Sequence, residues 1–348
     1  MPADPPPEPP PRHKRRPRYS GKHPRRFEEK YKEHDPDRHP DTVAKVLASG
    51  KTPAGTHRPI MVAEILAALD PKPGDIAVDC TLGHGGHARE ILAGIQPAGL
   101  LIGIDADPLE LPRTGARLRA AGFGPETFVT CRSNFAGLAQ VLAMHGVAGA
   151  DVLIADLGVS SMQLDDPARG FSVKLDGPLD MRMNPLRGQS AAALLEKIRP
   201  ATLAAMLDEN ADEPHAAMLA PILAGRRFEG TSALNAAIRA SLSMLKEDDL
   251  ALTVRRVFQA LRIAVNDEFS ALDSLLRRLP DCLKPGGRAA ILTFHSGEDR
   301  RVKKAFESGV RSRCYAEINA GVIRPQAAEV HSNPRASSAK LRWAKRAE

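Results

Sequence analysis

A chain of 348 residues, 43% of them apolar, can bury a sizeable core, as one large domain or as a domain carrying an insertion. No apolar run approaches the ~20 residues of a membrane span, and the N-terminus lacks the apolar centre of a signal peptide, so a soluble, cytoplasmic protein is expected. A formal charge of +7 favours polyanionic partners such as nucleic acid without requiring them.

Residues 1–41 are dense in Pro, Arg, Lys, Glu and His and almost empty of core-forming side chains, which predicts a disordered, basic, Pro-rich extension. Folded sequence is expected to begin near Asp41 or near Thr56. HRPIMVAEILAALDP reads as an amphipathic helix stopped by Pro71 and Pro73. DIAVDCTLGHGGH follows. Its apolar run Ile76 to Cys80 is that of a parallel strand buried on both faces, and it breaks off at the glycines of a loop from which HAREILAGI restarts helical periodicity. About 20 residues later LLIGID ends in Asp105, the usual spacing to an acid that holds ribose hydroxyls. Strand, glycine loop, helix, strand and acid describe a nucleoside-binding α/β crevice. They do not choose the nucleoside, although Asp79 before the glycines fits a ligand with a cationic amino-acid end better than it fits NAD.

PLELPRTGARLRAAG reads as a helix disturbed by Pro112 and Gly115, FVTCRSN as a third strand, FAGLAQVLAMHG as a helix and ADVLIADLG as a fourth strand. Strands alternating with helices imply a doubly wound parallel sheet, with ligands outside the carboxyl ends of its strands. Asp79, Asp105, Asn134 with Phe135, and Asp156 all fall at such ends. From Asp165 to Leu250 the alternation stops, and Ala- and Leu-rich helices cut by Pro200, Pro214 and Gly225 read as an insertion. Helices resume through VRRVFQALRIAVNDEFSALDSLLRRLPDCL, then KPGG as a turn, RAAILTFH as a fifth strand, Ser296 with Asp299 as a capping box, and SSAKLRWAKR as a final strand. Cys80, Cys131, Cys282 and Cys314 show no CxxC spacing. They indicate neither a disulfide frame nor a zinc or other metal site, and read as buried thiols in a reducing compartment.

TLGHGGHARE, IGIDADP, LIADLGVSSMQLDDPARGFSVKLDGPLDMRMNP, FQALRIAVNDE, LKPGGRAAILTFHSGEDRRVK and NPRASSAKLR, in this order, closely resemble the ribosomal RNA small subunit methyltransferase H family. The likeness runs from His57 to Arg342. It implies a class I methyltransferase with a Rossmann-like parallel sheet and an inserted all-helical subdomain. Residues 42–164 and 251–348 would form the methyltransferase domain, and residues 165–250 a helical substrate-recognition domain. It also implies S-adenosylmethionine as cofactor and N4-methylation of a cytidine in the decoding region of small-subunit (16S) rRNA, with free rRNA or the assembled small subunit as partner; a homodimer is compatible with it. The family's cofactor contacts carry over to Gly85, Gly86, His87, Asp105, Phe135, Asp156 and Gln163. The chain departs from the family in having Gly297 where Leu is common, LTVRR before FQALRI, and Ala336 or Ser337 where Arg is expected.

An exocyclic amine needs only in-line placement against a sulfonium methyl and an acceptor for the proton it loses. Asp156 is the first candidate acceptor and Asp180 the second; Asp156 could instead serve only the cofactor, and Asp180 could merely cap a helix. Phe171 or Phe294 could support a target base taken from its stack, and His295 and Ser296 sit at the mouth of the fifth strand. Two other readings stay open: an assembly factor that keeps the fold without catalysis, and a nicotinamide-dependent enzyme. Intact strand-end acids speak against the first, and the acid before the glycine loop against the second.

Overall fold

The computed structural model describes residues 59–348, so the extension expected over residues 1–41 lies outside the described residues. In chain order the elements are α1 (Val62–Leu69), β1 (Ile76–Asp79), α2 (Gly86–Ile95), β2 (Leu100–Asp105), α3 (Glu110–Ala120), β3 (Phe128–Arg132), α4 (Leu138–Met144) and β4 (Ala150–Asp156). A run of helices follows: α5 (Ser161–Asp165), α6 (Ala191–Lys197), α7 (Pro200–Ala211), α8 (Ala216–Leu223), α9 (Thr231–Ser241), α10 (Glu247–Asn266) and α11 (Glu268–Cys282). The chain closes with β5 (Leu283–Thr293), α12 (Ser296–Arg311), β6 (Tyr315–Ile318), α13 (Ala327–Ser332) and β7 (Lys340–Arg346).

The strands form one seven-stranded sheet in the order β3-β2-β1-β4-β5-β7-β6. β1 to β5 run parallel, with Val78 opposite Ile102 and Leu153. β7 is antiparallel to both β5 and β6. This is the α/β Rossmann-like arrangement of a class I methyltransferase, as expected. The unbroken apolar runs of the inner strands follow from burial on both faces. Val78, Ile102 and Leu153 pack toward α4, α11 and α12, while Ala77, Leu101 and Ile154 pack toward α1, α2 and α3. Because β1, β2 and β4 are parallel, Asp79, Asp105 and Asp156 end together at one edge of the sheet.

Helices α6 to α9 share an apolar core with the first part of α10, built from residues such as Leu195, Leu207, Leu219, Leu234 and Val257. Pro200 opens α7 at its first turn, where its missing N–H costs nothing, and Gly225, at φ 72°, follows α8.

Four local readings need correction. KPGG is not a turn ahead of β5 but a bulge within it: pairing jumps from Ala150 with Leu283 to Val152 with Arg288. The cap of α12 is His295, whose ring accepts from the N–H of Glu298, whereas Ser296 donates its hydroxyl to Asp212 at 3.0 Å. Pro112 leaves α3 unbroken because it falls in the first turn, where N–H groups lack helical partners anyway. Of the cysteines, Cys80 and Cys282 are buried, Cys131 is half-buried and Cys314 is exposed. The strand β6 gave no signal, since its four residues carry a single buried side chain, Tyr315.

Candidate functional site

A cavity of about 470 Å³ opens over the carboxyl ends of β1, β2 and β4. Gly86, His87, Asp105, Phe135, Asp156 and Gln163 line it, as do Asp79, Asn134 and Phe294. Gly85 and Asp180 do not. Gly85 is nonetheless required, because its φ is 79° and a Cβ there would lie 2.8 Å from Cγ2 of Thr114 and 3.2 Å from Cδ1 of Leu118. It lets the loop after β1 pack on α3, and what the neighbouring Gly86 offers the cavity is backbone.

The loop is then tied to the next strand. Both oxygens of Asp105 accept backbone N–H groups, Oδ2 from Gly83 at 2.7 Å and Oδ1 from Asp107 at 2.8 Å, which fixes the carboxylate at the cavity wall. Asp156 is fixed through its main chain, whose N–H donates to Oγ1 of Thr81 at 2.6 Å. Phe135 opens a short 3-10 turn capped by Asn134, whose side chain accepts from the N–H of Ala136. Gln163 forms a capping box with Ser160 and donates to Oδ2 of Asp107 at 2.9 Å, so its amide is largely occupied within the protein.

Asp107, two residues past Asp105, carries no ligand signal in the sequence yet is a structural hub. Besides Gln163 its Oδ2 accepts from Nη1 of Arg169 at 2.9 Å, and Arg169 donates through Nη2 to the carbonyls of Arg182 and Met183. Asp180 is the partner of Arg182, which donates to both of its oxygens at 2.9 and 2.7 Å. Burial works to raise the Asp180 pKa, but those hydrogen bonds outweigh it and hold the carboxyl below its ordinary range. Phe171 is buried among the helices, and only Phe294 of the two aromatic candidates reaches the cavity. Gly297 is accounted for by Phe269: a Cβ there would lie 2.7 Å from the Phe269 ring, so a larger residue at this place must move that ring.

The strand ends are crowded with carboxyl groups. Burial pushes the Asp79 carboxyl up to about 7, with Asp156 and Asp105 adding to the shift and Thr81 and His87 opposing it. Burial alone would lower His87, yet the carboxylates of Asp156, Asp79 and Glu329 raise it. Its Nε2 lies 3.5 Å from Oδ2 of Asp156 and makes no hydrogen bond among the described residues. Three acids around one recess favour a cationic ligand.

The pH dependence follows with a definite sign. Between the ordinary Asp value near 4 and about 7, the folded protein retains a proton on Asp79 that the unfolded chain has released. Stability is therefore full at the acid end of that window and falls as pH rises through it, and His87 contributes in the same sense. Thermal melting of the ligand-free protein across this range is expected to show the fall, and Asp79→Asn to flatten it; an unchanged slope in the variant would refute the assignment.

Fold and site together define a class I methyltransferase. The chain belongs to the MraW methylase family, whose model matches residues 54–347. It is 48% identical over 323 residues to ribosomal RNA small subunit methyltransferase H 1 of Agathobacter rectalis, covering 90% of this chain and 92% of that one. It is 42% identical over 310 residues to ribosomal RNA small subunit methyltransferase H of Geobacter sulfurreducens, covering 84% and 99% of the two chains. With the Halorhodospira halophila protein of the same name the identity is 40% over 326 residues, covering 86% and 97%.

Proposed function

We propose that this protein uses S-adenosylmethionine to methylate the exocyclic N4 of a cytidine in the decoding region of 16S rRNA, as free rRNA or within the small ribosomal subunit. The observation that carries the reading is the recess walled by Asp79, Asp105 and Asp156, suited to a cationic nucleoside, in a chain 40–48% identical to proteins named ribosomal RNA small subunit methyltransferase H. On this reading residues 165–250 serve substrate recognition, and the protein acts in the cytoplasm.

In the cavity, S-adenosylmethionine would supply an electrophilic methyl group on a sulfonium. The carboxylate of Asp105, held by two backbone N–H groups, has lone pairs left for ribose hydroxyls. Phe135 would present its ring to the adenine, the backbone of Gly86 and His87 would meet the amino-acid end, and Gln163 would border the base. Gly85 contributes by shaping the loop. The acids beside the recess favour the positive sulfonium and lose that partner once it becomes a neutral thioether.

The target amine attacks the methyl carbon as the carbon–sulfur bond breaks, and the substituted nitrogen must shed one proton. Asp156, at the tip of β4 and on the cavity wall, is the acceptor proposed here. Asp180 is ill suited, since Arg182 takes up both of its oxygens.

The decisive measurement is the mass of the decoding-region fragment from small subunits incubated with the protein and S-adenosylmethionine. One added methyl, located on N4 of a cytidine, is expected. Transfer to a different atom, or none to subunits lacking the mark, would overturn the reading.

A further inference from the structure

The same cavity continues past the strand ends to a second wall made by Arg262 and Asn266 of α10, Glu268 and Phe269 of α11, and Phe294 after β5. Arg262 is held there by more than packing. Its Nε and Nη2 donate to the two oxygens of Glu268 at 2.8 and 2.9 Å, and Nη2 also lies 3.9 Å from Oε1 of Glu298. Glu298 is itself fixed, accepting from the N–H of Phe294 at 2.9 Å and lying 3.1 Å from Nε2 of His295. The guanidinium, only 15% exposed, therefore cannot swing away.

Both nitrogens on one edge of the fork are spent, whereas Nη1 makes no hydrogen bond among the described residues. A guanidinium stays charged and keeps its donors at any working pH. A charged donor left over on the wall of a cavity that Phe294 also lines can meet an acceptor there without giving up Glu268.

We infer that this end of the cavity takes the target pyrimidine, turned out of its stack, with Nη1 of Arg262 donating to the acceptor edge formed by N3 and O2. The inference rests on the function proposed above and names the group that recognises its substrate. Cytosine presents N3 and O2 as adjacent acceptors beside the N4 amine, so a donor fixed at that edge also fixes where the amine lies. Uracil would turn an N3–H toward the same donor. Phe294 supplies flat apolar surface for the ring, whereas Phe269, covered by the Arg301 guanidinium at 3.6 Å from its ring centre, backs the wall.

The test compares full-length wild type with Arg262→Met, Arg262→Lys and the double variant Arg262→Met with Glu268→Gln, which removes both members of the buried pair. S-adenosylmethionine affinity is read by calorimetry, thermal stability by melting, and kcat and KM on unmodified small subunits. Each variant is expected to keep cofactor affinity within about twofold and to lose at least about 100-fold in kcat. The double variant should melt higher than Arg262→Met, because Glu268 is no longer left buried without its partner, and yet stay inactive. Lysine should not rescue, since one ammonium cannot hold Glu268 and the base together.

Recovery of kcat in the double variant to near wild type would make Arg262 purely structural and overturn the inference. Loss of cofactor affinity in that variant would do the same, by moving Arg262 to the cofactor site. A wild-type enzyme that methylates another atom would sink the underlying reading and this inference with it, and needs no variant to be seen.

Discussion

Asp156→Asn is expected to lower kcat by about 10³-fold while leaving the fold intact. The substitution preserves size, and the backbone N–H that Thr81 holds at 2.6 Å is untouched. What disappears is a group able to take the proton released from the amine. The loss should fall on single-turnover methyl transfer at saturating cofactor and subunit, with the melting temperature of the variant close to that of wild type. Retention of kcat within about tenfold would mean that the proton leaves by a route other than Asp156. Asp180→Asn makes the natural control: it removes a charge from a carboxyl already committed to Arg182, so its effect should appear in stability before chemistry.

Gly177→Ala is expected to cost about 3 kcal/mol or more of stability, at the upper end of what a single added methyl does. Gly177 lies in the stretch between Phe171 and Met181, and a Cβ there would overlap the carbonyl oxygen of Pro167, which is backbone and cannot rotate aside. The same residue is pinned from the other side, its N–H donating to Oγ1 of Thr231 at 3.2 Å and its carbonyl accepting the N–H of Thr231 at 2.9 Å. Relieving the overlap thus pulls on the start of α9. Denaturant unfolding measures the effect, and a variant as stable as wild type would show that the chain at Pro167 yields more easily than its surroundings imply.

The sheet was legible because burial on both faces leaves strands such as Ile76–Asp79 and Ala150–Asp156 with short unbroken apolar centres, Ile76 to Val78 and Val152 to Ala155, each ending in an acid. The helical stretch was legible from punctuation, with Pro200 at a first turn and Gly225 beyond a last one. Residues at strand tips could be placed on the cavity because parallel strands must end side by side. Arg262, Glu268 and Glu298 could not, since α10, α11 and α12 bring them to the cavity from far along the chain, and a charged residue in an amphipathic helix looks like solvent-facing surface until its partner is known. The capping of α12 was misread for a related reason: Ser is the commoner cap, but Ser296 is drawn away by Asp212 and a histidine takes the position.

Asp107 carries a consequence for how the molecule responds to its ligand. One buried carboxylate oxygen is shared between Gln163 and Arg169, and Arg169 in turn grips the chain at Arg182 and Met183. The turn that holds Asp105 is thereby geared to the strap leading into the helices. A nucleoside that steadies Asp105 should slow amide exchange tens of residues downstream, in a segment it never touches.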